Sequence, residues 1–209
     1  MNALLKKSFA LAASALIAGL SAGSAHGEAK VVGDKPMFDD LQSPEFSGGK
    51  QKGFRPKTWL EIEAKLKVAL RPEPKSKTCD KVTIKWYVAV KNTEKPGTML
   101  LFKKDVEYVN VPLDEDVWFS VYLSPASIKR ITGFDRAAKS AVEGVGYEVF
   151  IGGEKVAAET TNWKVDWWNV ASDRIAASDV VPLLIKAQTP FSNMWWDRYA
   201  EVNEANSAR

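Results

Sequence analysis

The chain has 209 residues, and its 29 Lys+Arg against 26 Asp+Glu fall to 27 against 26 once Lys6 and Lys7 of the N-terminal leader are set aside. That balance gives little support to nucleic-acid binding, which draws on a strongly basic patch, and no basic run exceeds Lys103–Lys104, so no nucleic-acid partner is expected. Cys79 is the single cysteine and His26 the single histidine, beside the end of the leader. An intrachain disulfide, a Cys–His nucleophile pair, an imidazole base and a histidine-ligated metal are thereby excluded from the body of the chain.

Lys6 and Lys7 precede an apolar stretch from Phe9 to Leu20, followed by small residues, which is the layout of a signal peptide over residues 1–27. Cleavage is expected after Ala25 or Gly27. The apolar stretch is too short to span a membrane, no later segment supplies about 20 apolar residues, and no lipid-acceptor cysteine follows. The chain is therefore expected to be exported, to the periplasm or the outer cell surface. Residues 28–56 carry Pro36, Pro44, Pro56 and four glycines with little periodicity, and read as a mobile lead-in with at most a short paired segment near its end.

From Trp59 to Leu70 the residues Leu60, Ile62, Ala64, Leu66, Val68 and Leu70 alternate with Glu61, Glu63, Lys65 and Lys67. Strand side chains alternate between faces, so this segment is a long strand with one apolar and one charged face. Pro72 and Pro74 end it. Lys81–Val90 places Val82, Ile84, Trp86, Val88 and Val90 on one face as a second strand, with Thr98–Lys104, Val106–Leu113 and Val117–Leu123 as further strands. Ser124, Pro125 and Gly133 carry the cap, first-turn and stop signals of a helix over Pro125–Thr132, and Asp135–Glu143 adds another helical turn. Gly152-Gly153 joins strands Gly146–Ile151 and Glu154–Thr160 as a hairpin. Val180–Gln188 and Met194–Val202 are read as the last strands. Seven or eight short strands with turns at this spacing give a mostly β, antiparallel, immunoglobulin-like β-sandwich with one or two short helices over residues 57–202, followed by a tail at 203–209. Two smaller sandwiches joined at Pro125–Glu143 are the rival division. Ile128, Ile131 and Phe134 at near-helical spacing favour one domain.

Carboxylates are the remaining candidates for catalysis. Asp114-Glu115-Asp116 sits between two strand patterns and reads as a solvated turn, and the alternating oxygens and central glycine of a calcium loop are absent. Gly152-Gly153 precedes no helix, so it is not a phosphate cradle. No catalytic residue, metal site or cofactor is expected. The suggestive feature is eight tryptophans. Trp163, Trp167 and Trp168 form one group, and Trp195-Trp196 a second beside Asp197, Arg198 and Tyr199. Alternation along a strand would place one Trp of each pair in the core and the other at the surface. Exposed Trp, Tyr and Arg anchor protein interfaces and also form platforms for sugar rings. Trp163, Trp167, Trp168, Trp195, Trp196, Arg198 and Tyr199 are thus the candidate partner contacts, with loop tryptophans that merely cap the sandwich as the alternative.

The leader, the alternating strand, the Gly-Gly hairpin, Trp167-Trp168-Asn169 and the closing Thr189-Pro-Phe-Ser-Asn-Met-Trp-Trp-Asp-Arg-Tyr199 resemble a verrucomicrobial, Akkermansia-type family of exported proteins. The resemblance covers roughly Thr58 to Val202. It implies an immunoglobulin-like fold, an association with type IV pili and no enzymatic activity, since that family carries no catalytic residues. Three functions are weighed: an exported interaction module with protein partners in a pilus or envelope assembly, a carbohydrate-binding module using exposed tryptophans, and a carboxylate-dependent enzyme, in that order. A two-domain pilus chaperone that adds a subunit strand to a sheet edge is a neighbour of the first.

Overall fold

The computed structural model describes residues 28–45, 53–134 and 138–204. The expected signal peptide and the 205–209 end of the tail lie outside the described residues. The long alternating segment forms β3 (Thr58–Arg71), and its inward residues Leu60, Ile62, Ala64, Leu66 and Val68 are all buried. It pairs antiparallel with β6 (Asp116–Leu123) along eight residues, so β3 is interior to its sheet. Facing it, β4 (Thr78–Lys91) lies between β5 (Met99–Pro112) and β7 (Val142–Ile151). Val82, Ile84, Trp86, Val88 and Val90 of β4 point into the space between the sheets with the inward residues of β3 and β6. Trp86 fills the centre, tilted against Tyr147 at 5.8 Å. These two layers make a β-sandwich in which both sheets contribute alternating apolar faces.

The lead-in reading is corrected by β1 (Glu28–Gly33) and β2 (Met37–Gln42), which pair end to end along the same side of β3. Each strand is only six residues and Pro36 separates them, so neither gives a long alternating signal. Their backbone groups nevertheless complete the ladder that β3 would otherwise leave open. Gly33 is required there, because a side chain would collide with the Tyr147 hydroxyl and Leu66. Residues 46–52 of the lead-in lie outside the described residues.

Thr98–Lys104 and Val106–Leu113, read as two strands, are one: β5 runs unbroken through fourteen residues. The helix forms at the expected residues as α1 (Pro125–Thr132). Ser124 Oγ accepts from the Ser127 N–H at 3.1 Å, and Gly133, at φ +76°, closes the end by donating to the Lys129 carbonyl. These satisfy groups that every helix terminus leaves orphaned. A second short helix, α2 (Ala138–Ala141), precedes β7, with residues 135–137 of the expected turn outside the described residues. The hairpin of β7 and β8 (Glu154–Thr160) turns on Gly152 and Gly153, both at positive φ.

The C-terminal third departs most from the sequence reading. In place of two regular strands it is a winding segment that touches the sheets in short stitches. β9 (Ile175–Ala177) pairs parallel with β5, β10 (Leu184–Ile185) pairs with β6, and β11 (Glu201–Val202) returns to β5. Val181, Leu183, Ile185 and Phe191 are buried, so the segment closes the open side of the sandwich with side chains more than with ladder bonds. No helix among the described residues is long and apolar enough to cross a membrane.

Candidate functional site

Trp163, Trp167 and Trp168 follow β8 on a turn of 3₁₀ helix at Trp167–Asn169, and the one-in, one-out expectation fails there because adjacent residues on such a turn do not alternate. Trp167 is 7% and Trp168 4% exposed, and Trp163 is half-buried. Together with Tyr87, Ala89 and Leu101 they form a second apolar cluster on the outer face of the β5–β4–β7 sheet. Trp168 stacks flat on Tyr87 at 4.5 Å with 7° between planes. Its other neighbour is bare backbone: a Cβ at Gly146 would drive into the Trp168 ring, and one at Gly144 would meet Trp163 at 2.6 Å. The two glycines are seats for two indoles. Trp167 Nε1 donates to Thr160 Oγ1 at 2.9 Å. The rim is polar: Tyr87 donates to Glu148 at 2.6 Å, and Lys155 bridges Glu148 and Asp166 at 3.1 and 3.2 Å. Burial, followed by the Glu148 hydrogen bond, pushes the Tyr87 phenol well above its ordinary value.

Trp195 and Trp196 lie in a loop, not a strand, and both are exposed, at 44% and 75%. Three devices hold the loop. Lys186 is buried, and its ammonium donates to the carbonyls of Ser192, at 3.3 Å, and Met194, while lying 4.9 Å over the Tyr199 ring. Burial lowers the Lys186 pKa. Thr189 Oγ1 donates to the Lys186 carbonyl and accepts from the Phe191 N–H. Phe191 is buried edge-on to Trp59 and stacked near Tyr122. Trp195 takes φ +50°, a left-handed conformation that costs a bulky residue roughly 1–2 kcal/mol. The surrounding ties keep it there.

The chain then returns across the charged face of β3. Arg198 lies 3.8 Å over the Trp118 ring and 3.6 Å from a Glu63 oxygen. Tyr199 donates to Glu63 and, at 3.4 Å, to Glu61, which also accepts from Tyr122 at 2.9 Å. Burial first, and the Glu63 charge second, raise the Glu61 pKa. Half of the face that reads as a solvated sheet surface is thus covered by its own C-terminal segment. Lys65 and Lys67 stay at the surface with Asp34 and Asp116.

Beside this loop opens a cleft of about 860 Å³. Trp118, Trp196 and Tyr199 supply its aromatic surface, and the carboxylates Glu115, Asp116, Asp197, Glu201 and Glu204 outnumber its two cations, Lys186 and Arg198. Asp116 pairs with lysines of β3 and Glu201 accepts from Asn110, whereas Glu115, Asp197 and Glu204 join no ion pair among the described residues. The sequence pointed to Trp195, Trp196, Arg198 and Tyr199, and it singled out Asp114-Glu115-Asp116 as carboxylates without joining them to these residues; the cleft brings Glu115, Asp116 and Asp197 together. It missed Trp118, which stands far off in the chain, and Lys186, which nothing in the sequence marks as buried. No group of three or more His, Cys, Asp or Glu among the described residues is placed to hold a metal ion.

A protein-family model matches residues 22–206, nearly the whole chain. The chain belongs to that family. Among solved structures, it is similar to a crystal structure of a protein from Akkermansia muciniphila, with a TM-score of 0.79 and 37% sequence identity over 84% of this chain and 93% of that one. The β-sandwich and the Akkermansia-type resemblance therefore rest on sequence and fold together. No curated protein matches the chain.

Proposed function

We propose that the chain is an exported, non-enzymatic interaction module of a type IV pilus-like or cell-surface assembly, and that its contact face is the cleft around Trp196. The observation that carries this reading is the contrast between an indole left 75% exposed and the effort spent fixing the loop that presents it. A rigid, exposed Trp beside Arg and Tyr is the residue set that concentrates binding energy at protein interfaces. The family resemblance supports the pilus setting. Trp167 and Trp168, buried against Tyr87 and Gly146, have little surface to offer a partner and belong to the scaffold.

The test is capture of partners from an envelope extract with the wild-type chain and the Trp196→Ala variant. Loss of specific partners from the variant supports the reading, and unchanged recovery of every partner overturns it. Trp196 flanked by Asn193 and Asp197 is also the geometry of a sugar platform. Glycan-array binding that Trp196→Ala abolishes would move the assignment to a carbohydrate-binding module.

A further inference from the structure

β6 has a cleft at each end, and the two are opposite in charge. At its Asp116 end lies the acidic, aromatic cleft already described. At its Leu123 end, beside the start of β3 and the first turn of α1, lies a second cleft of about 710 Å³ lined by Gln42, Arg55, Pro56, Lys57, Thr58, Pro125, Ala126 and Lys129. This one contains three cations and no carboxylate. Arg55 and Lys57 are exposed and join no ion pair among the described residues. Its walls include two prolines and an alanine, an apolar surface against which an indole ring packs.

The two clefts share no residue and are separated by the length of an eight-residue strand, about 25 Å. One copy of the chain can therefore engage a neighbour at both ends at once. We infer that the occupant of the acidic cleft is the basic cleft of a second copy of this chain, with Trp196 seated against Pro56 and Pro125. Glu115 and Asp197 then face Arg55, Lys57 and Lys129. This deepens the reading of the Trp196 face as a contact site, and rests on it, by naming the partner chemistry.

Charge complementarity and the apolar seat argue for this occupant together. An exposed Trp needs an apolar, preferably cation-rimmed surface, because guanidinium and ammonium groups are attracted to its ring face. Unpaired carboxylates around it need cations, and the other cleft supplies both. The contact joins two different patches and is heterologous, so each association leaves one free cleft of each kind and copies add head to tail. The interaction is partly between exposed charges, so salt weakens it.

Sedimentation of the purified chain at low and high salt tests the inference without any other protein present. Two variants separate the faces: Trp196→Ala/Asp197→Asn disables the acidic cleft, and Arg55→Gln/Lys57→Gln the basic one, with circular dichroism confirming that each folds. The wild type is expected to show a mass that rises past the dimer with concentration at low salt and falls toward the monomer at about 1 M salt, where the screening length is about 3 Å. Each variant alone is expected to stay monomeric, and their 1:1 mixture to form a dimer and nothing larger. A wild type that is monomeric at every concentration overturns the inference, as does association that persists in either variant or a mixture that fails to pair. A monomeric wild type that still loses its envelope partners on Trp196→Ala would sink the self-association alone and leave the contact face standing.

Discussion

The two tryptophan clusters have similar composition and opposite fates. Trp167 and Trp168 are buried on the outer face of a sheet that would otherwise be open to water, while Trp195 and Trp196 project from a loop. The difference lies in what each meets. The first cluster finds two side-chain-free backbone positions, Gly144 and Gly146, and a flat partner in Tyr87. The second is held outward by Lys186 and Thr189, whose hydrogen bonds spend themselves on the loop's backbone rather than on its indoles. An aromatic cluster in this fold is therefore buried or exposed according to the neighbours that receive it.

Truncation should separate the two most sharply. Trp168→Ala is expected to cost about 3–5 kcal/mol in denaturant unfolding, the usual penalty for removing a large buried aromatic side chain. Trp168→Phe keeps the stack on Tyr87 and removes an indole N–H that has no hydrogen-bond partner, so it should cost clearly less. Equal losses in the two variants would show that the stack contributes little. Gly146→Ala comes next, at about 1–3 kcal/mol, because its methyl group displaces the Trp168 ring. A neutral Gly146→Ala would mean that the indole has room to move and that its seat is not fixed.

On the other cluster, Lys186→Met keeps the aliphatic bulk and leaves the Ser192 and Met194 carbonyls without their donor. A loss of about 1–2 kcal/mol is expected, with faster amide hydrogen exchange confined to residues 192–199. Exchange unchanged in that loop would remove Lys186 from the account. The acidic pair beneath the loop gives a smaller, pH-dependent effect. The Glu61 pKa is raised in the folded chain above its ordinary 4.5, so the folded state binds that proton more tightly. Its contribution is present in full below pH 4.5 and is lost as pH rises through the raised folded value. Glu61→Gln should therefore flatten the fall in stability just above pH 4.5. A slope identical to wild type would assign that fall to other groups.

Most of the sandwich is legible in the sequence because its strands are long and one-sided. The alternation from Leu60 to Val68 and from Val82 to Val90 specifies both a strand and the face it buries, and Ser124-Pro125 with Gly133 bounds α1 to the residue. The legible part ends where strands shorten. β1 and β2 pair through six residues each around Pro36, and β10 and β11 through two each, too few for a period to register. The site was half legible for the same reason. Trp195-Trp196-Asp197-Arg198-Tyr199 stands out as a motif, but its exposure depends on Lys186 and Thr189. Its acidic wall depends on Glu115 from the far side of the fold. Strand alternation, applied to Trp167 and Trp168, gave the wrong outcome because that segment turns as a 3₁₀ helix.

The central claim is that the exposed cluster, not the buried one, meets the partner, and Trp196→Ala tests it most directly. An exposed truncation of this kind should change stability by no more than about 0.5 kcal/mol, so any loss of function would be a loss of contact. With unfolding curves matched to wild type, capture from envelope extract should lose its specific partners in the variant. Recovery equal to wild type for every partner, with the fold intact, would contradict the account.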